Sequence, residues 1–225
     1  MPQRRRTFFE KTLSRAQKAT GKFIGSVSSV TDPYYGMIEV TKVNLPMPRL
    51  GTAFHLYQVL QISDIHLDDE MSRDYLNTIV ELVNEQQADL VVITGDFVTT
   101  NAERYARSLI ALLRRVQARD GVLAVMGNHD HLPWSNPSTV RQVLEESEVV
   151  LLDNRVYTLE CENEELHIAG IDDVCGGHDR LDVVMQALPP QGSALLLCHV
   201  PDFADTSAQS RRFDLQLSGH SHGGQ

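Results

Sequence analysis

The sequence predicts an α/β fold in which the strands of the first half pair mostly in parallel. From residue 56 onward, short apolar runs alternate with amphipathic stretches, the order that successive strand and helix units produce. Residues 90–93 ("LVVI") are apolar without a break, which is typical of a strand buried on both faces. With 225 residues, 42% of them hydrophobic, the chain is long enough to form one sizeable core.

The expected elements follow from local patterns along the chain. Residues 37–43, set between glycine and proline residues, predict a first short strand. Ser72 is placed to cap one helix, and Asn136 followed by Pro137 to begin another. The other expected strands are 56–62, 88–94, 121–126, 149–152, 156–159, 166–171, 194–198 and 213–217, and the expected helices are 73–87, 102–119, 137–147 and 181–188.

The net charge of −10 is distributed unevenly along the chain. The first 22 residues carry seven basic side chains and one acidic side chain, so the rest is strongly acidic. We therefore expect a basic N-terminal extension over residues 1–36 and a folded domain over residues 37–225. An acidic body binds nucleic acid backbones poorly, and no nucleic acid partner is expected. The sequence carries no signal for an oligomeric state.

The N-terminal segment and the cysteines bear on the compartment. "RRRTFFEK" resembles a twin-arginine export signal, but no apolar stretch follows it, so export is not expected. Two alternatives stay open: a basic amphipathic helix that touches anionic lipid or a partner, and a solvated terminus. Cys161, Cys175 and Cys198 include no C-x-x-C pair, which favours a reducing compartment. We expect a cytoplasmic protein. Peripheral membrane contact through the basic segment is compatible with this expectation and stays open.

Polar side chains follow five of the predicted strands at their carboxyl ends. Open α/β sheets bind their ligands at that edge. The glycines before Asp96, Asn128 and His220 let the backbone turn sharply at these points. The residues placed there are Asp64, His66, Asp96, Asn128, His129, His199, His220 and His222. Recurring after five strands, they predict one shared site rather than unrelated turn or cap residues.

The composition of this set indicates a metal centre. Two aspartates, one asparagine and several histidines, without a thiolate, form a mixed oxygen and nitrogen donor set. Such a set suits Mn, Fe, Zn or Co better than a cysteine-based structural zinc site or an all-oxygen calcium site. The donors are too many for one ion, so we expect two divalent ions that share a carboxylate. Two such ions attract phosphate and lower the pKa of a bridging water.

The motifs D-x-H, G-D, G-N-H-[DE], H and G-H-x-H occur in that order from about residue 55 to the end. In this series the sequence resembles the calcineurin-like metallophosphoesterase superfamily. By position, the resemblance implies one metal bound by Asp64, His66, Asp96 and His222, and a second bound by Asp96, Asn128, His199 and His220, with Asp96 as the bridge. His129 resembles the family's non-ligand histidine, which contacts the phosphate and can protonate the leaving oxygen.

The same resemblance implies a fold and a reaction. The fold is a four-layer α/β/β/α sandwich with the metals at the sheet edge, and the reaction is in-line attack of a metal-bound hydroxide on phosphorus. The bond cleaved is a phosphomonoester, a phosphodiester or a pyrophosphate. The ending "GHSHGGQ" is similar to a bacterial branch of membrane-associated phosphoesterases. Relatives usually continue through further strands, so the expected domain is short at its C-terminus.

One motif departs from part of the superfamily. "GDFVTT" has Thr99 and Thr100 where the protein serine/threonine phosphatases carry an aspartate and an arginine. A protein phosphatase is therefore not expected, and another group must orient His129. The alternative function is a scaffold or interaction module that keeps the fold and binds metal without turnover.

Several polar residues near the motifs are expected to lie outside the site. Asp130 either orients His129 or caps its loop. "CGGHD" at 175–179 is a weak metal signal, because one cysteine and one histidine lack partners in sequence. Alternation along its strand makes Cys198 a core thiol. Four aspartates are expected to be solvated loop carboxylates: Asp68, Asp69, Asp172 and Asp173. Four histidines are expected to lie at the surface or to be satisfied polar residues: His55, His131, His167 and His178.

Overall fold

The computed structural model describes residues 38–69, 71 and 73–224. Over these residues the strands are β1 (Val59–Ile62), β2 (Leu90–Thr94), β3 (Val122–Val125), β4 (Val150–Leu151), β5 (Arg155–Cys161), β6 (Glu164–Ile171), β7 (Ser193–Cys198) and β8 (Leu215–Leu217). The α-helices are α1 (Arg73–Glu85), α2 (Ala102–Leu113), α3 (Pro137–Glu146), α4 (Leu181–Ala187) and α5 (Ala204–Gln209). The predicted basic extension, residues 1–36, and the predicted cap Ser72 lie outside the described residues.

The strands form two four-stranded sheets. The first has the order β1-β2-β3-β4 and is parallel throughout. The second has the order β5-β6-β7-β8, with β5 and β6 antiparallel and the other neighbours parallel. The predicted parallel pairing of the first half is therefore confirmed. The strand expected at 37–43 is wrong for residues 38–43, which are mostly exposed and pair with neither sheet.

Three apolar layers hold the sheets and helices together. In β2, Val91 and Ile93 face the cluster that includes α1, α2 and α3, whereas Leu90 and Val92 face the second sheet. In β7, Leu195 and Leu197 pack toward the first sheet, while Leu196 and Cys198 pack toward α4. Because successive strand residues point to opposite faces, each central strand supplies two layers. The predicted four-layer α/β/β/α sandwich and the core position of Cys198 are confirmed.

Helix α2 ends earlier than predicted. The expected helix ran to residue 119, but α2 stops at Leu113. The side chain of Asn84 explains the end, because its Nδ2 donates to the carbonyl of Arg115 and its Oδ1 accepts from the amide of Gln117. These bonds occupy backbone groups that a continuing helix would pair internally. Asn136 precedes Pro137 at the start of α3 as predicted, although its side chain makes no capping bond.

One side chain ties the two sheets together beside their carboxyl ends. Gln61 on β1 donates from Nε2 to Thr94 Oγ1 on β2 and to the carbonyl of Ser218 after β8, each at 2.8 Å. The ends of β1, β2 and β8 are therefore held within reach of one another, which positions the loops that follow them. Among the described residues, none of the helices has both the length and the apolar character needed to span a bilayer.

Candidate metal centre

Side chains from the ends of five strands meet where the two sheets adjoin. Asp64 and His66 follow β1, Asp96 follows β2, and Asn128 and His129 follow β3. From the second sheet, His199 follows β7, and His220 and His222 follow β8. The structure brings all of these sequence-predicted residues into one cluster, through the contacts described below.

Asp64, His66 and His222 form the outer part of the cluster. Their potential ligand atoms all lie within 4.8 Å of one another. His66 Nε2 is 3.2 Å from His222 Nε2, and the two rings stack with centroids 4.9 Å apart. Asp64 Oδ1 lies 3.5 Å from His222 Nε2 and 3.9 Å from His66 Nε2. The carboxylate of Asp64 also accepts from the amide of His220, which fixes the last loop against the first.

Asp96, His199 and His220 form the inner part. His199 Nε2 lies 3.3 Å from Asp96 Oδ2, 3.1 Å from Asn128 Oδ1 and 3.3 Å from His220 Nδ1. His199 Nδ1 contacts the carbonyl of Thr94 at 2.7 Å. Because a carbonyl only accepts, Nδ1 carries a proton there, and Nε2 of the neutral ring turns its lone pair toward the cluster.

The two parts share the carboxylate of Asp96. Its Oδ2 lies 3.4 Å from His66 Nε2 in the outer part and 3.3 Å from His199 Nε2 in the inner part. Burial alone would raise the pKa of Asp96, but its hydrogen bond and charge interaction with His199 lower it below the usual range. Burial would likewise lower the pKa of His199, but Asp96 outweighs it and raises that pKa. A cation at Nε2, whether a proton or a metal ion, is therefore favoured.

Five of the seven predicted ligands have a left-handed backbone. Asp64, His66, Asp96, His220 and His222 have φ between 46° and 67°. This region costs energy for side chains other than glycine, and such residues concentrate at functional sites. The surrounding contacts must hold these loops in place, and the sharp turns aim consecutive side chains into one space.

Two glycines permit the close approach of the loops. A Cβ on Gly127 would overlap the side chain of Asp96 and lie 2.6 Å from its amide nitrogen. A Cβ on Gly219 would overlap Ser63 and lie 2.5 Å from Asp64 Oδ2. Any larger residue at either position must displace a carboxylate of the cluster, so the glycines in G-N-H-D and G-H-x-H serve packing rather than conformational freedom.

His129 lies beside the outer part of the cluster, and the backbone of Thr99 positions it. Its ring meets that of His66 edge to face with centroids 4.7 Å apart. His129 Nδ1 contacts the carbonyl of Thr99 at 3.1 Å, so Nδ1 carries the proton of this bond and Nε2 stays available. The hydroxyl of Thr99 donates to the carbonyl of His66 at 2.9 Å. The backbone carbonyl of Thr99 therefore orients His129, a role that the threonine side chain does not fill.

Asp130 connects the loops after β2 and β3, a role that sequence reasoning left open. The residue is completely buried, and its carboxylate accepts from the backbone amides of Asp96, Phe97 and Gly127, each at 2.9 Å. Burial raises the pKa of Asp130 to about 7, although the backbone donors oppose the rise. Asp130 therefore holds Asp96 in place, whereas the ring of His129 bonds to Thr99. No sequence signal separates this role from that of an ordinary loop aspartate.

The expectation that Asp172 and Asp173 are solvated is wrong. Asp172 is 7% exposed and Asp173 is 2% exposed. Each accepts hydrogen bonds that replace water: Asp172 from the amide of Asp173, and Asp173 from the amides of Cys175 and Gly176. Burial of a carboxylate is tolerated when such donors are present. Other local expectations hold: His167 is buried and bonded to Thr158 and Gln191, and His55 and His178 are exposed.

The donor set of the cluster fits divalent transition ions. Potential ligand atoms of Asp96, Asn128 and His220 lie 3.1–3.3 Å from His199 Nε2, so oxygen and nitrogen donors from four side chains face one space. Imidazole with carboxylate and amide oxygen is the ligand chemistry of Mn, Fe, Zn and Co. The same cluster offers no cysteine, which disfavours a structural zinc site.

Comparison with known proteins agrees with this geometry. The sequence profile of the calcineurin-like phosphoesterases matches residues 57–224. The chain belongs to this family. The match covers every predicted ligand, from Asp64 to His222, and identifies these residues as a hydrolase domain of the phosphoesterase type. Members of the family use divalent metal ions, in accord with the donor set described above.

Among curated relatives, the uncharacterized metallophosphoesterase YkuE of Bacillus subtilis is 30% identical over 191 residues, covering 84% of this chain and 66% of YkuE. YkoQ of the same organism, also an uncharacterized metallophosphoesterase, is 32% identical over 171 residues, covering 74% of this chain and 61% of YkoQ. A zebrafish (Danio rerio) transmembrane protein with a metallophosphoesterase domain is 29% identical over 241 residues, covering 96% of this chain and 55% of that protein. The phosphoesterase chain thus spans about half to two thirds of these relatives.

Among solved structures, the NAD nucleotidase of Haemophilus influenzae has a TM-score of 0.52 with 15% sequence identity. The similarity covers 73% of this phosphoesterase and 38% of the nucleotidase. At this identity the similarity concerns the fold, which is shared.

Proposed function

We propose that this chain hydrolyses phosphoester bonds at a centre of two divalent ions. The observation that supports two ions is the shared carboxylate of Asp96, whose Oδ2 lies at nearly equal distances from His66 Nε2 and His199 Nε2. A carboxylate that lies between two sets of nitrogen donors can serve as the bridging ligand of a two-ion centre. The bond cleaved is a phosphomonoester, a phosphodiester or a pyrophosphate.

In this proposal Asp96 belongs to both ligand sets, and each ion has three further residues of its own. The outer ion would be held by Asp64, His66, Asp96 and His222, and the inner ion by Asp96, Asn128, His199 and His220. When bound, the ions would supply Lewis acidity toward the phosphoryl oxygens and lower the pKa of a water molecule. Two aspartates offset only half of the formal charge of two divalent ions, so the acidic chain gains a locally positive site for an anionic substrate.

The protein groups around the ligands fix their orientation. The backbone carbonyl of Thr94 accepts a hydrogen bond from His199 Nδ1–H. This bond keeps Nε2 of His199 directed at Asp96. Asp130 holds the amide of Asp96, so the bridging carboxylate is supported from a buried anchor. These bonds hold the ligand side chains in place before an ion binds. The conformational entropy of ordering them is therefore lost during folding and not during ion binding.

His129 is the proposed general acid. Its Nδ1 is fixed on the carbonyl of Thr99, so Nε2 is the nitrogen that can meet a phosphoryl oxygen or the leaving oxygen. The ring meets that of His66, one of the residues that would hold an ion in the outer part of the cluster. In the doubly protonated ring, Nε2–H gives its proton to the leaving oxygen, which then departs as an alcohol rather than an alkoxide, and the ring is left neutral with its remaining proton on Nδ1.

Hydrolysis of bis(p-nitrophenyl) phosphate and p-nitrophenyl phosphate with Mn²⁺, Zn²⁺ or Co²⁺ tests the proposal. Asp96→Asn should lower the rate at least about a hundredfold, as loss of a transition-state electrostatic group does elsewhere. Asp69→Asn is the matched control, because Asp69 is exposed, pairs with Arg104 and belongs to none of the candidate ligand groups found among the described residues. Tight metal binding without turnover of either compound or of a pyrophosphate would contradict the proposal and favour the scaffold alternative.

A further inference from the structure

A second group of metal-ligating side chains lies near the centre described above. His131, Asp173 and His178 each offer an atom within 4.8 Å of the other two. The rings of His131 and His178 stack with centroids 4.5 Å apart and an interplanar angle of 22°. His66 and His222 stack in nearly the same way, at 4.9 Å and 26°. The second group therefore repeats the arrangement of two stacked imidazoles and one carboxylate found in the outer part of the cluster.

The buried carboxylate of Asp172 orients the ring of His131. Its Nε2 is 2.7 Å from Asp172 Oδ1, and Arg141 pairs with the other oxygen of Asp172 at 3.4 Å. With Arg141 beside it, Asp172 acts as an ionised acceptor, so Nε2 of His131 carries the proton and Nδ1 presents the lone pair. A histidine that donates one ring N–H to a carboxylate is the usual support for a metal-ligating histidine.

Asp173 and His178 border the same space. The amides of Cys175 and Gly176 donate to Asp173 Oδ1 and Oδ2, which leaves each oxygen a further lone pair. A Cβ on Gly176 would lie 2.7 Å from Asp173 Oδ2 and 3.0 Å from His178 Nε2. The glycine thus leaves open the place where the carboxylate and the imidazole approach each other.

All three residues line a cavity that reaches the first centre. Its volume is about 260 Å³, and its other lining residues are Asn128, Leu132, Cys175 and Gly176. Asn128 is also a proposed ligand of the inner ion and contacts His199. The cavity therefore connects the second group with one wall of the proposed dinuclear centre.

We propose that His131, Asp173 and His178 bind a third divalent transition ion. Two imidazoles and one carboxylate suit Zn, Co, Fe or Mn, and three protein ligands leave positions for water or substrate. This ion goes beyond the proposed function, because its ligands are separate from those of the other two. Bound there, it adds positive charge to the cavity beside Asn128, where it would favour a second anionic group of the substrate.

The test is a count of bound ions after loading with Zn²⁺ or Co²⁺ and equilibrium dialysis, with elemental analysis per chain. His178→Ala should bind one ion fewer than the unaltered chain. His55→Ala is the matched control, because His55 is exposed and belongs to none of the ligand groups found among the described residues; it should bind the full number. Equal counts for His178→Ala and the unaltered chain would overturn the proposal.

Two further variants separate this result from misfolding and from the first centre. His178→Gln keeps a long polar side chain on this exposed residue and should also lose one ion, while circular dichroism stays that of the unaltered chain. Asp96→Asn and the double variant Asp96→Asn with His178→Ala should again differ by one ion. If the two variants bind equal numbers of ions, the third site is refuted, even if the unaltered chain binds two ions at the first centre. If the first centre fails to bind, the His178-dependent ion is still counted.

Discussion

Replacement of Asp130 by alanine should strongly destabilise the fold. The carboxylate is inaccessible to solvent and accepts from three backbone amides, those of Asp96, Phe97 and Gly127. Alanine removes all three acceptors at once. An unsatisfied buried donor costs about 1–3 kcal/mol, so the expected loss is about 3 kcal/mol or more.

Asp130→Asn is the graded comparison. One carbonyl oxygen in the place of Oδ2 can still accept from Asp96 and Gly127, but the amide nitrogen then opposes the donor of Phe97. This variant should lose less stability than Asp130→Ala, on the order of 1–2 kcal/mol. The difference between the two variants isolates the acceptors from the change in volume.

Urea unfolding of the metal-free chain provides the measurement. The midpoints of the unaltered chain and both variants, compared at equal slope, give the differences in free energy of unfolding. The slope must be the same for the three chains, because a change would indicate a different unfolded or native state. If the free energy of unfolding of Asp130→Ala lies within about 0.5 kcal/mol of that of the unaltered chain, the three amides find other partners and Asp130 does not stabilise these loops.

Three further changes test other parts of the site. Gly127→Ala places a Cβ against the Asp96 side chain and should lower the rate of phosphodiester hydrolysis about a hundredfold; an unchanged kcat contradicts this. Thr99→Val removes the hydroxyl bond to the carbonyl of His66 and should cost about 1 kcal/mol in urea unfolding, with kcat changed less than about threefold. Because the pKa of His199 is raised by Asp96, metal affinity should rise with pH above about 6.5 while the stability of the metal-free chain falls; opposite slopes would refute this assignment.

The sign of the last prediction follows from the direction of the pKa shift. A histidine whose pKa is higher in the folded than in the unfolded chain stabilises the fold when protonated, and this stabilisation is lost as pH rises through the folded pKa. A metal ion competes with that proton for His199 Nε2, so its affinity changes in the opposite direction.

The fold was accessible from the sequence because its signals are local. Each central strand is a short apolar run, and the alternation of Leu90 and Val92 with Val91 and Ile93 serves two cores at once. The end of α2 was not accessible, because it depends on Asn84, a residue of α1 that captures the backbone of Arg115 and Gln117 across the structure. Helix propensity, which is a property of each residue and its sequence neighbours, does not predict a contact between α1 and the residues that follow α2.

The cluster at the sheet edge was equally readable, since each predicted ligand directly follows a strand. The supporting groups were not. Asp130 acts on backbone amides of a different loop, and the carbonyl of Thr99, not its side chain, bonds to His129. Asp173 is buried only because its own loop turns back and supplies two amides. These roles depend on how the loops contact one another in the folded chain. Residue type and spacing in the sequence do not determine such contacts.

An anomalous difference map from crystals of the chain loaded with Mn²⁺ would show whether two ions share the carboxylate of Asp96. We expect two peaks that both adjoin this carboxylate, about 3.5–4 Å apart. One peak should lie among Asp64, His66 and His222, and the other among His199, His220 and Asn128. A single peak at Asp96, or none there, would contradict the shared-carboxylate centre.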